Sequence, residues 1–378
     1  MAGRNGDTAK RLAFIGPDLP HVGYGRMFVS LRDTLATKVT LNDRAEHVVY
    51  AMQPDMVKGW YHGQKATILT MWESDKLPPK FFEYLPQFQT VIVPCLHNFD
   101  LFSQYHDNVH VIPLGIDRTI WHPNPQPKTD RFKILCGGSE WHRKGLDVVL
   151  DVFNMLGMPN SELHIKIVPP YRSAPERIDY PNVVVHRDWM TLEEEAALMH
   201  SMDCFVSVSR GEGFGLMPLQ AMSAGIPTIL TDAHGHREFS DLATHRISTT
   251  PQPATIGKWS DIGNWEEPNR EELAEALWDM YNNRDRYTQQ AIDIAPETAA
   301  FNWETSANQL LQIIKPTTRT VGTNWVRAGD VTTPVRVNRR IKADIGAHRI
   351  DLAPGQTYHV VLNVRDVLKE SGYLLEDQ

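Results

Sequence analysis

The stretch Ser209-Arg210-Gly211-Glu212-Gly213-Phe214-Gly215-Leu216-Met217-Pro218-Leu219-Gln220-Ala221-Met222 sets a carboxylate among three glycines directly ahead of a helix. Glycines allow backbone N–H groups to approach a ligand, and the start of a helix favours an anion through its unpaired donors and dipole. A carboxylate on the same loop, Glu212, can accept hydrogen bonds from sugar hydroxyls. Gln220 lies within the first turns of the helix, in reach of a ribose. A tight strand-to-helix turn with no ligand would use the same glycines, so glycine spacing alone leaves both readings open.

Other candidates are weaker in isolation. Lys144-Gly145 offers a cation at a helix start, where a solvated lysine is equally at home. Gly23-Tyr24-Gly25-Arg26 follows the first strand and reads as either a structural turn or a phosphate loop. Glu193-Glu194-Glu195 reads as a solvated helix face, and His97 as a satisfied loop histidine. His234, His236 and the other histidines show no ligand-like spacing with cysteines or carboxylates, so neither a structural nor a catalytic metal is expected.

These residues must be held by something, and the hydropathy pattern indicates what. Short apolar runs at 11–16, His47–Met52, Ala66–Met71, Thr90–Pro94 and Val109–Pro113 read as strands. Helical periodicity separates several of them: Met27, Phe28, Leu31 and Leu35 share one face, and helices are expected at Pro79–Leu85 and Phe99–Tyr105. Three prolines within Pro123–Pro127 interrupt the pattern as a linker. Alternation then resumes, with strands at Phe132–Cys136, Leu163–Val168, Val183–His186, Cys204–Ser209 and Pro227–Thr231. The helices expected here are Lys144–Leu156, Leu192–Met202, Leu216–Ala224, Arg270–Asn282 and Trp303–Ile314. Strands buried on both faces and separated by helices predict an α/β fold with parallel sheets: two Rossmann-like domains facing a cleft. The boundaries expected are 1–120 for the first domain, completed by a helix over 301–315, and 121–300 for the second. Beyond Pro316 the texture turns strand-like, with a Pro354-Gly355 turn and a short helix over 364–370. Residues 317–378 read as a small β-rich appendage.

The elements of the glycine stretch, in order, resemble the Glu-x7-Glu segment of retaining glycosyltransferases of family 4, which have the GT-B fold. Ala221–Thr228 resembles that family's EAMAxGxPVV run, and Asp232 and Glu238 sit where it has sDxxGxxE. Val111-Ile112-Pro113-Leu114-Gly115-Ile116-Asp117 with Trp121-His122-Pro123 resembles vxPxGvDxxxFxP. Gly137–Gly145 resembles the glycine–lysine block that opens the second domain. The likeness covers about residues 11–315. It implies that Glu212 contacts the donor sugar and that the amides of Gly213, Phe214, Gly215 and Leu216 hold sugar and diphosphate. Lys144 would supply charge to the departing diphosphate, which Gly23, Tyr24 and Gly25 would face from the first domain. Thr70–Pro78 resembles a WExxxlP segment of some members and implies an acceptor-side role for Glu73, against the plainer reading of a helix-capping carboxylate. Two departures stand out: Gln220 replaces the second glutamate, and Gly138 replaces a frequent arginine, for which Arg143 is a candidate substitute.

The resemblance implies a nucleotide diphosphate-sugar as donor substrate, with no metal or other cofactor. The rival is a catalytically weak nucleotide-sugar-binding scaffold, and the acceptor is open between a protein or virion component and a modified DNA base. The 378 residues carry a net charge of -8, 42% hydrophobic and 22% charged residues, which suits a folded globular chain. From Lys315 onward ten basic residues face seven acidic ones, leaving the body at -11 and a poor general polyanion binder. The basic tail could be a solvated face or a dock for an acidic partner; its ending resembles small modules of bacteriophage virion proteins. The sequence shows no apolar run near the ~18 residues of a membrane span and no signal-like N-terminus, and the three cysteines sit in apolar runs. A cytoplasmic protein with reduced thiols is expected.

Overall fold

The computed structural model describes residues 9–19, 23–172, 174–256, 259 and 261–328, and then five strands between 332 and 377. The first αβ unit runs β1 (Arg11–Ile15), α1 (Gly23–Ala36), β2 (Thr40–Leu41), β3 (His47–Ala51), β4 (Gly59–Tyr61), β5 (Lys65–Leu69), α2 (Phe81–Tyr84), β6 (Thr90–Val93), α3 (Leu96–Phe102) and β7 (Val109–Val111). Its six-stranded sheet has the order β2-β1-β3-β5-β6-β7, every pair parallel. Leu12, Ala13, Val48, Val49 and Ile68 are fully buried, the pattern of a sheet covered on both faces. Helix α1 buries Met27, Phe28, Leu31 and Leu35 against it, as their spacing requires.

The second unit runs β8 (Phe132–Glu140), α4 (Leu146–Leu156), β9 (Ser161–Arg172), β10 (Val183–His186), α5 (Leu192–His200), β11 (Cys204–Ser207), α6 (Leu216–Ser223), β12 (Thr228–Thr231) and β13 (His245–Ile247). Its order is β10-β9-β8-β11-β12-β13, again all parallel. This is the dinucleotide-binding order. In both sheets the winding reverses beside the first strand, between β1 and β3 and between β8 and β11. The crevice above the carboxyl ends at such a switch point is where open α/β sheets bind ligands. The loops that leave β1, β8 and β11 carry the glycine, lysine and glutamate candidates.

Several elements escape the periodicity. Hairpin β14 (Thr249–Pro253) and β15 (Asn264–Pro268) is antiparallel, and β14 contains Pro251 and Pro253, tolerated because a two-stranded ribbon leaves N–H groups unused. After α7 (Arg270–Asn282), α8 (Arg284–Ile294) buries only Tyr287 and Ala291 and so shows no apolar stripe. Gly137 and Gly138 lie within β8, which runs past the expected strand end at Cys136.

The chain then returns to the first unit. Ile116 bridges to Asn302, α9 (Trp303–Ile314) packs on α1, and residues 317–328 run along the first unit as a strap. Within the strap, β16 (Trp325–Arg327) pairs antiparallel with β4. Farther on, 332–337 pairs with 357–361 and 375–377, and 341–345 with 348–352. The turn at 353–356 and the helix over 364–370 lie outside the described residues.

One apolar cluster crosses between the units, joining Met71, Cys95 and Ile116 to Phe214, Leu219 and Phe239. Cys95, Cys136 and Cys204 are free and buried. No helix among the described residues is long and apolar enough to cross a membrane.

Candidate functional site

At the carboxyl end of β11, Arg210 is almost wholly buried and anchors the glycine loop from behind. Its guanidinium meets both oxygens of Asp147, at 2.8 and 2.9 Å, and also Glu267 and the His142 carbonyl. Arg143, from the turn after β8, donates to Glu140 at 2.6 Å and to the Gly211 carbonyl at 2.8 Å. Two buried arginines therefore fix the first half of the loop; Arg143 is engaged with protein groups, and the role of Arg210 was not read from the sequence.

Between these anchors the Lys144 ammonium pairs with the Glu212 carboxylate. Lys144 lies where Gly138 leaves room: a Cβ at Gly138 would come within 3.1 Å of the lysine Cδ. The missing arginine thus has a steric counterpart. Burial pushes the Glu212 carboxyl up, but Lys144, His236 and Arg143 outweigh it and hold the carboxyl at about 2. His236 is fully buried with Nε2 3.9 Å from Glu212 Oε2, and burial lowers it to about 4. Sequence spacing gave no sign of this histidine because its partner sits on another loop.

Glu73 arrives from the first unit, half-buried on the loop after β5. Burial raises its carboxyl; Arg143 and Lys144 oppose that shift, and Glu140 and Glu212 reinforce it. The two units therefore meet in one electrostatic cluster of Glu73, Glu140, Arg143, Lys144 and Glu212.

The loop backbone completes the arrangement. Among the described residues no acceptor takes the N–H groups of Gly213, Phe214, Gly215 or Leu216, which is the state of a helix start. Gly215, at φ +107°, swings the chain into α6. The Phe214 ring is buried against Phe239 and Phe301, so the amides stand on a packed base. Asn98, fully buried in the first unit, accepts from Trp72 N–H at 2.6 Å and donates to the Gly213 carbonyl at 3.0 Å. A Cβ on Gly211 would overlap the Glu73 carbonyl oxygen, so glycine is what lets the loop approach the first unit.

Apart from Gly23, the remaining first-unit candidates are engaged within the protein. Gly23 is exposed at the start of α1; Gly25 is buried where the Leu19 backbone leaves no space for a Cβ. Tyr24 donates to the Met71 carbonyl at 2.9 Å and lies 3.2 Å from Thr70 Oγ1, tying α1 to the end of β5. Arg26 reaches across to Gln220 at 3.2 Å and to Glu195 at 2.6 Å. Gln220 thus meets an arginine of the other unit. The solvated reading of the acidic run holds for exposed Glu193 and Glu194 and not for Glu195. Glu194 closes a capping box with Thr191, and Glu195 is drawn inward by Arg26. His97 lies 3.3 Å from the Ser74 carbonyl, and its ring is 4.6 Å from that of His234. Among the described residues no three His, Cys, Asp or Glu side chains gather as metal ligands.

Hairpin β14–β15 crosses over this region. Asp75 accepts from Asn264 N–H at 2.6 Å, Ser74 donates to the Ile262 carbonyl at 2.6 Å, and Lys76 pairs with Asp261 at 2.8 Å. Trp259 lies edge-on to Trp72 and Phe81. The hairpin clasps the segment that bears Glu73.

Residues 131–255 match the family described as Glycosyl transferases group 1. A D-inositol 3-phosphate glycosyltransferase of Paenarthrobacter aurescens is 26% identical over 230 residues, 55% of this chain and 52% of that protein. The chain spans about half the length of the curated relatives it matches, or less. Among solved structures, Anabaena HepE with UDP and glucose superposes at a TM-score of 0.60 with 12% identity, covering 81% of this chain and 99% of that one. Sucrose-phosphate synthase of Thermosynechococcus elongatus gives 0.54 with 16% identity, over 71% and 73%. Those likenesses establish the architecture, and with the two parallel sheets they lead to one statement: this chain has the GT-B fold, and residues 131–255 of its second unit are similar to the glycosyl transferases group 1 family.

Proposed function

We propose that this chain is a retaining glycosyltransferase of family 4, moving a sugar from a nucleoside diphosphate donor to an acceptor hydroxyl. The observation that carries the reading is the Lys144–Glu212 pair beside four loop amides without acceptors, at the switch point of the second sheet. The amides and the start of α6 suit the diphosphate, and Glu212, ionised at neutral pH, suits the hydroxyls of the donor sugar. In the reaction the bond from the anomeric carbon to the phosphate oxygen breaks and one to the acceptor oxygen forms on the same face. The acceptor proton passes to the departing phosphate oxygen. Charge grows on that leaving group, so Lys144 and the amides act where stabilisation counts most. Glu73, across the cluster, would orient the acceptor hydroxyl or stabilise positive charge on the sugar. The Arg26–Gln220 contact closes the ribose side of the cleft, and donor access requires it to part.

The acceptor proposed is a protein or virion component, with a hydroxylated DNA base as the alternative. The strap at 317–328 supports this by tying the basic appendage to the first unit, the unit that bears Glu73. The Gln220 amide, taken by Arg26, supports a second reading: a nucleotide-sugar-binding scaffold with little turnover. The test is a thermal-shift panel of UDP-, GDP- and ADP-sugars and the free nucleotides. A ligand at 100 times its Kd stabilises by about 2.7 kcal/mol, and one donor class should stand out. Slow hydrolysis of that donor without acceptor separates enzyme from scaffold, and the anomeric configuration of the product by NMR decides retention.

A further inference from the structure

His236 has a place in the site that the donor reading leaves unused. Its ring is fully buried beneath the glycine loop, and a Cβ on Gly215 would lie 2.7 Å from its Cδ2. Nδ1 is 3.2 Å from the Thr231 carbonyl, so a proton there fixes the ring, and the Thr231 hydroxyl continues to the Ser209 carbonyl at 3.0 Å. Nε2 faces Glu212 Oε2 at 3.9 Å, with Ser207 Oγ at 3.4 Å. While Lys144 neutralises Glu212, a neutral imidazole suffices at Nε2. The other charged or titratable groups bearing on the ring are Asp232 and His234, from its own segment.

Lys144 cannot serve two anions equally. If it turns toward a bound diphosphate, Glu212 keeps its charge and loses its paired cation; Arg143 stays engaged with Glu140 and the Gly211 carbonyl, and His236 faces the carboxylate at 3.9 Å. We infer that His236 is a positioning residue that takes up a proton at Nε2 when Lys144 turns to the donor diphosphate, and so holds Glu212 ionised and aimed at the sugar. The inference rests on the donor-site reading. The proton comes from solvent, and no covalent bond changes. Burial and Lys144 together keep the imidazole neutral in the free protein, and removing the lysine while adding a phosphate anion reverses the balance.

Two measurements decide it. The first is an NMR titration of the His236 ring in the wild-type chain and in Lys144→Ala, where the pKa should rise by one pH unit or more. An unmoved value overturns the inference, and this measurement needs no change at His236. The second is calorimetry of UDP, GDP and ADP binding at pH 6.5 in two buffers of different ionisation enthalpy. The nucleotide that binds should bring net proton uptake, up to one proton, that is lost in His236→Asn. Asparagine can still donate to the Thr231 carbonyl but cannot charge, so a purely structural histidine would leave the uptake in place. Binding weakened by Lys144→Ala but without proton uptake in the wild type overturns the role of His236 alone. Absence of binding by all three nucleotides, or binding indifferent to Lys144→Ala, overturns the donor reading and this inference with it.

Discussion

In the proposed reaction Lys144 carries the most weight, because it is the cation paired directly with Glu212. Lys144→Ala should lower turnover by roughly two to three orders of magnitude, the scale of losing one preorganised electrostatic contact to a leaving group. Its melting temperature should fall by only a few degrees, because His236 can charge and replace the lost partner of Glu212; calorimetry with steady-state kinetics checks both. Glu212 and Lys144 were legible because each sits in a local run whose order carries information. His236 and Arg210 were not: their carboxylate partners Glu212 and Asp147 lie 24 and 63 residues away, and only the fold brings them together. Gln220 was legible as a position but not as a contact, since the arginine that takes it belongs to the other unit.

At the scale of elements, the segment after β12 carries His234 and His236, both buried and held at about 3 and about 4 by burial first. A histidine whose folded value lies below its unfolded value of about 6.5 contributes full stability above that value. The contribution is lost as pH falls toward the folded value, because only the unfolded chain then binds the proton. Each should cost about 2 kcal/mol by pH 5, so denaturant midpoints should drop steeply between pH 7 and 5, and less steeply in His234→Asn. The glycine loop makes a second prediction. Gly211→Ala places a Cβ onto the Glu73 carbonyl and must push the units apart, so kcat/KM should fall at least tenfold while the second unit stays folded by circular dichroism. Strands buried on both faces were legible as apolar runs, whereas β14 was hidden by its prolines and α8 by its polarity. The clasp over Glu73 therefore emerged only in three dimensions.

For the whole molecule, closure is built from contacts that cross the cleft: Arg26 with Glu195, Asn98 with Gly213, Lys76 with Asp261, and a shared apolar cluster. The α/β class and the two sheets follow from alternating patterns in the sequence, but no local pattern encodes how two sheets face each other. The strap was likewise invisible, since a chain segment paired by backbone needs no apolar stripe. It bonds to Arg11, Glu46 and His62 of the first unit. A chain ending at Pro316 should therefore lower the melting temperature by several degrees, and an unchanged calorimetric profile would show the strap to be dispensable. The central claim, that this site transfers a sugar from a nucleoside diphosphate, is tested most directly by release of free nucleoside diphosphate. The measurement uses UDP-, GDP- and ADP-sugars with the wild-type chain and with Lys144→Ala. The account predicts release from one donor class by the wild type and at least a hundredfold less by the variant. Equal release by both, or none from any donor by a wild-type chain that binds one of them, would contradict it.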